Sequence, residues 1–133
     1  MKLVLPLAAL LASLPGIAAE PHPFHLTVAP GKVGEVCMAL EAGDTLVWQF
    51  KASAAAEFNL HHHVGDQVLM PVKRKGATLD SGEHAIDRRN DWCLMWTAPA
   101  GQRLTVKGRW WQRRAGTNSS CATGGRCLPT IAA

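Results

Sequence analysis

The chain has 133 residues, with 14 Lys plus Arg against 10 Asp plus Glu and a formal net charge of +4, a length that supplies one hydrophobic core and is short for two. At 47% hydrophobic and 18% charged, with 12 Gly and 8 Pro spread along it, the composition excludes a disordered polymer, a coiled coil and a large multidomain enzyme.

Lys2 precedes the apolar run Leu3–Leu14, and the small residues Gly16, Ala18 and Ala19 follow. This layout predicts a secretory signal peptide over residues 1–19, cut after Ala18 or Ala19. Pro6 and Pro15 interrupt the run, which is shorter than the roughly 20 residues a spanning helix needs. The expected product is a periplasmic or secreted protein with no transmembrane span after cleavage. From Glu20 onward, short apolar runs alternate with turn residues. Phe24–Val28, Gly34–Leu40, Thr45–Ala52, Glu57–His63, Gln67–Val72, Trp92–Thr97 and Arg103–Trp111 are expected strands. Ala29-Pro-Gly-Lys32, Glu41-Ala-Gly-Asp44, Val64-Gly-Asp66, Asp80-Ser-Gly-Glu83 and Ala98-Pro-Ala-Gly101 are the expected turns. Ala52–Glu57 is too short for a stable helix and is expected as a loop.

Two segments alternate with period two: Leu46, Trp48 and Phe50 share one face of the first, and Trp92, Leu94 and Trp96 one face of the second. Seven short strands with such rows predict an all-β fold, an antiparallel two-sheet β-sandwich of the jelly-roll type over residues 20–111, filled by these large residues. Residues 112–133 are expected as a basic, cysteine-containing tail.

In an oxidising compartment Cys37, Cys93, Cys121 and Cys127 read as two disulfides, with three connectivities open. Cys121 and Cys127 bracket the flexible stretch Ala122-Thr-Gly-Gly-Arg126, whereas Cys37 and Cys93 each sit in an apolar segment, so local loop closure favours Cys121 with Cys127. Without a CxxC pair the four sulfurs make a poor metal site.

The ordered residues Cys37-Met-Ala-Leu-Glu-Ala-Gly-Asp44, Trp48-Gln-Phe50, Phe58-Asn59, Gly65-Asp66, Asp80-Ser-Gly82 and Trp92-Cys-Leu-Met-Trp96 resemble the GOLD (Golgi dynamics) type of β-sandwich, in particular its small exported bacterial relatives, from about Lys32 to Trp111. The resemblance implies a bridge between Cys37 and Cys93 and a recognition module without a catalytic motif. Eukaryotic cargo receptors of that type continue into a coiled coil and a membrane span, and this chain has a basic cysteine-bearing tail instead, so a trafficking role does not carry over.

One segment carries evident chemistry. In Phe58-Asn-Leu-His61-His62-His63, strand alternation with Phe58 and Leu60 facing the core sends His62 inward and leaves Asn59, His61 and His63 on the other face, where paired imidazoles can converge on copper or zinc. His84 and Met70 are the expected further ligands, with Asp66 and Met95 as alternatives; the competing reading is a set of hydrogen-bonded structural histidines. No nucleophile elbow surrounds Ser53, Ser81, Ser119 or Ser120, and no Gly-rich phosphate loop precedes a helix, so no catalytic residue is expected, and hydrolysis by a metal-bound water is the one catalytic alternative.

Arg103, Lys107, Arg109, Arg113, Arg114 and Arg126 make the stretch from residue 102 onward wholly basic, and Lys73-Arg-Lys75 adds a second cluster. With Trp110 and Trp111 interleaved, this third can meet an anionic surface; the alternative is a solvated strand face with one of the two tryptophans in the core. Nucleic acid is not an expected partner of an exported protein. The sequence therefore predicts an exported, non-catalytic module that binds a protein or small ligand, with a periplasmic copper- or zinc-binding protein built on His61 and His63 as the alternative.

Overall fold

The computed structural model describes residues 19–114. Residues 1–18 and 115–133, and with them most of the expected signal peptide and tail and both Cys121 and Cys127, lie outside the described residues.

Six strands follow one another: β1 (His22–Val28), β2 (Val33–Leu40), β3 (Thr45–Val64), β4 (Gln67–Ala85), β5 (Asn90–Thr97) and β6 (Leu104–Arg113). The described fold is all-β and antiparallel, as expected. The expected division into two separate sheets is corrected: all six strands belong to one sheet, in the order β1-β6-β3-β5-β2 with β4 on the opposite side of β3. The cause is the length of β3 and β4, which run through both layers. The first half of β3, Thr45–Ala52, pairs with β6, and its second half, Glu57–His62, pairs with β5. The whole strand pairs with β4 along its other edge.

Ala52–Glu57, expected as a loop, is the bend of that continuous strand. Its register with β4 shifts between Lys51 and Ala56, and again between Ala56 and Phe58. Extra residues of this kind bend a strand and increase its twist, and the small side chains of Ser53, Ala54 and Ala55 leave room for it. Opposite the bend, Gly76 takes a φ of 64°, which a side-chain-bearing residue adopts with difficulty. At the far end Gly65, with φ 58°, opens the two-residue hairpin loop between the Val64–Gln67 pair, the position that a type II′ turn gives to glycine.

The bend folds the aromatic rows onto each other. Phe50 and Phe58, on either side of it, lie 4.8 Å apart between ring centroids, and Trp96 of β5 meets both, at 5.2 and 5.4 Å. Trp48 closes on Phe58 at 5.9 Å. Trp48, Trp92, Trp96, Phe58, Leu46, Leu60 and Leu94 are all buried, so both sequence-identified rows fill the core. Of the paired tryptophans, Trp110 packs partly against the core and stacks on His22, while Arg109 lies over the ring of Trp111.

The expected turn Asp80-Ser-Gly-Glu83 is instead strand, inside β4. Here glycine supplies space: a Cβ on Gly82 would stand 2.6 Å from the Trp48 ring, and the Trp48 indole N–H donates to the Asp80 carboxylate at 3.1 Å. Cys37 and Cys93 face each other directly across β2 and β5 and are joined by a disulfide spanning 56 positions of sequence. On the chain-entropy account, closing a loop of that size stabilises the fold by about 4 kcal/mol.

Two substitutions test this packing. Trp48→Ala is expected to cost about 3–5 kcal/mol through lost burial and a cavity. Gly108→Ala places a methyl 2.4 Å from the Gln49 carbonyl oxygen and 2.8 Å from the Phe50 Cβ, so β3 and β6 must separate, at about 1–3 kcal/mol. Denaturant midpoints within error of the parent for either variant would show that the site is open.

Candidate functional site

The pairing of β3 with β5 places His61 opposite Cys93 and His62 opposite Trp92. Successive side chains of a strand point to opposite faces, so adjacent histidines enter different surroundings. His62 follows Phe58 and Leu60 inward and is 3% exposed. Its ring stacks on Trp92 with centroids 4.0 Å apart, and His84 of β4 approaches the same indole at 5.6 Å. The Asn90 side-chain nitrogen donates to the His63 carbonyl at 2.7 Å and lies 3.2 Å from His62 Nδ1. An amide nitrogen only donates, so His62 Nδ1 accepts and the neutral ring carries its proton on Nε2.

These rings border a cavity of about 420 Å³, whose walls include His62, Leu69, Met70, His84, Asp87 and Trp92. Two of its wall residues are apolar and exposed: Leu69 and Met70, near the hairpin turn, are each 38% accessible.

On the opposite face His61 is 4% exposed. Its Nδ1 lies 2.9 Å from Asn59 Oδ1, an oxygen that only accepts, so Nδ1–H donates and Nε2 holds the lone pair. That Nε2 is 3.8 Å from a Glu35 carboxylate oxygen. His63 presents its ring edgewise at 5.4 Å between centroids. The Cys93 sulfur adjoins them, and one donor atom from each of Glu35, His61 and Cys93 lies within 4.8 Å of the other two.

The structure divides the ligand set expected from sequence. His61 and His63 are neighbours on the outer face, but His84 and Met70 line the inner cavity beside His62. These four residues therefore form no common site, because the sheet stands between the two pairs. Asp66 sits in the hairpin turn, and Met95 faces Asn59 from β5. Sequence reasoning missed Glu35, Asn90 and the role of Trp92 as a floor for two imidazoles. Glu35 precedes Cys37 by two positions and so shares its face, a signal that becomes usable once Cys37 is known to pair with Cys93.

Of the basic residues, Arg113 pairs with Glu83, Arg74 lies 3.9 Å from Asp80 and Arg89 3.3 Å from Glu41. Of the basic residues from 102 onward, Arg113 is thus drawn into a local pair at the surface, and Arg74 of the Lys73-Arg-Lys75 cluster into another.

No protein-family model and no curated protein matches this chain, so the GOLD resemblance gains no support from sequence comparison. Solved structures do match. PliG of Aeromonas hydrophila, a periplasmic inhibitor of g-type lysozyme, aligns with a TM-score of 0.54 at 12% identity, over 76% of this chain and 93% of its own. The mitogen derived from Yersinia pseudotuberculosis aligns with a TM-score of 0.53, also at 12% identity, over 83% of this chain and all of its own. The likeness is one of fold.

Burial lowers the pKa of His61 and of His62. For His61, desolvation outweighs the opposing pull of the Glu35 carboxylate, with His63 and His62 adding to the lowering. For His62, desolvation is again the largest cause, followed by Arg88, against a raising effect of Asp87. In the unfolded chain both rings take up protons near pH 6.5, whereas the folded protein holds them neutral to lower pH. Above that value neither state is charged and stability is unaffected. Below it the unfolded state gains protons first, so stability is expected to fall as pH drops from about 6.5 through the lowered folded values. Urea midpoints at pH 7.5, 6.5 and 5.5 check this: the acid-side loss should shrink in His62→Gln, and an unchanged slope in that variant would assign the loss to other groups.

Proposed function

We propose that this chain is an exported, non-catalytic recognition module that grips a protein partner at the hairpin end of β3 and β4. The observation that carries the reading is the exposed apolar pair Leu69 and Met70 in the wall of a cavity bordered by the Trp92–His62 stack. Exposed apolar groups bordering a concave site are the usual anatomy of a binding surface. A buried anchor side chain from a partner gains most where an aromatic floor and a water-excluding rim are already in place. His62 is held by Asn90 and Trp92, which makes it a wall of the cavity. Export rests on the leader-like residues 1–19, and the fold likeness to a periplasmic protein that inhibits a lysozyme agrees with both parts of the reading.

A g-type lysozyme is the first partner to test, by calorimetric titration with the tag-free protein. A saturable complex is expected. Leu69→Asp and Met70→Asp, at exposed positions, should leave the melting temperature nearly unchanged, as surface substitutions within about 0.5 kcal/mol do, and weaken the complex by about tenfold or more. A complex indifferent to both substitutions would overturn the assignment of the surface. Photo-crosslinks from position 70 that join no protein in the exported compartment would overturn the reading as a whole.

A further inference from the structure

The outer face carries a second arrangement, and nothing in the recognition reading uses it. His61 is buried and fixed by Asn59 so that its Nε2 lone pair faces the Glu35 carboxylate 3.8 Å away. Two acceptors facing each other at that distance have nothing between them to share unless a proton or a cation enters. A ring whose other nitrogen donates to an oxygen is also the way a metal-ligating histidine is usually oriented. The third neighbour is the Cys93 sulfur, bonded to that of Cys37. A disulfide sulfur is a weak ligand, whereas a thiolate is a strong one.

We infer that Glu35, His61, Cys93 and Cys37 form a redox-gated transition-metal site, closed to metal while the disulfide is intact and opened by its reduction. The juxtaposition offers one carboxylate oxygen, one imidazole nitrogen and two sulfurs, a mixed donor set suited to a four-coordinate zinc ion. It also places both sulfurs on β2 and β5, where the paired strands keep them opposed after the bond is cut. The opening step is thiol–disulfide exchange with a dithiol reductant. A thiolate of the reductant attacks the exposed Cys37 sulfur, the bond to Cys93 breaks, and Cys93 leaves as a thiolate beside His61. The reductant's second thiol then displaces Cys37 and departs as its own disulfide, so two electrons and two protons pass to the cysteine pair. A divalent ion entering the site replaces those two protons. The site lies across the sheet from the cavity of the recognition reading, so neither proposal depends on the other.

Cobalt(II) reports thiolate ligation by its charge-transfer absorption and stands in for zinc. The full chain carrying Cys121→Ser and Cys127→Ser, which leaves Cys37 and Cys93 as its sole sources of thiolate, is titrated with Co²⁺ before reduction and after reduction and removal of the reductant. One ion per reduced chain with thiolate-to-metal bands is expected, and none of those bands in the oxidised chain. Glu35→Gln, at an exposed position with no part in the core, and His61→Gln should each weaken binding by about tenfold or more, while His63→Ala should leave it nearly unchanged. Equal binding by oxidised and reduced chains, bands indifferent to Glu35→Gln, or binding that His63→Ala abolishes would overturn the inference. Circular dichroism of the loaded, reduced chain supplies the remaining control: the strand signature is expected to persist, and cobalt bound to a chain that has lost it would overturn the inference as well.

Discussion

The bend in β3 is the constraint on which the rest of the molecule depends. A flat strand of 20 residues would hold Phe50 and Phe58 far apart, and the sheet would have no second layer to cover its apolar face. Bending at Ala52–Glu57 brings the two phenylalanines to 4.8 Å and lets Trp96 pack against both. Each ring buried in such a core contributes roughly 1.5–3 kcal/mol by leaving water, and several rings meet here, against about 1 kcal/mol net for each backbone hydrogen bond left unmade at the bend. Packing therefore decides the path of the backbone, and β4 follows with its own irregularity at Gly76.

That path also sorts the chemistry. Three adjacent histidines at the end of one strand would be a featureless polar cluster if the strand were exposed on both faces. Here β5 and β4 pin the strand from both sides, and alternation sends His62 to a tryptophan-floored cavity and His61 to a carboxylate and a disulfide. The two rings thus share a sequence neighbourhood and a lowered affinity for protons, and differ in every contact. A slip of one residue would exchange them. The aromatic core is accordingly what fixes the register of both sites.

Much of the architecture was legible in residue order. Trp48, Phe50, Trp92 and Trp96 announced their faces by period two, and the cysteines of β2 and β5 lie directly opposite each other. The alanine-rich bend was not legible, because Ser53, Ala54 and Ala55 carry little strand propensity of their own and only the flanking residues, up to Ala52 and from Ala56, are held in register by neighbouring strands. Asp80-Ser-Gly-Glu83 misled for a related reason: a glycine needed to clear the Trp48 ring looks the same in sequence as one needed for a turn. For the histidines, the alternation of faces was readable but the partners were not. His84 and Met70 are chemically suitable ligands that the sheet separates from His61, whereas Glu35 becomes visible once β2 is placed beside β5.

Strand β3 runs unbroken through its bend with the register that puts His62 inside and His61 outside. Nuclear Overhauser contacts from the Trp92 indole protons to the His62 ring, together with contacts from the His61 ring to Cys93, test it most directly. Both sets are expected, with no contact between the His61 ring and the Trp92 indole. Contacts between Trp92 and His61 in place of His62 would contradict it.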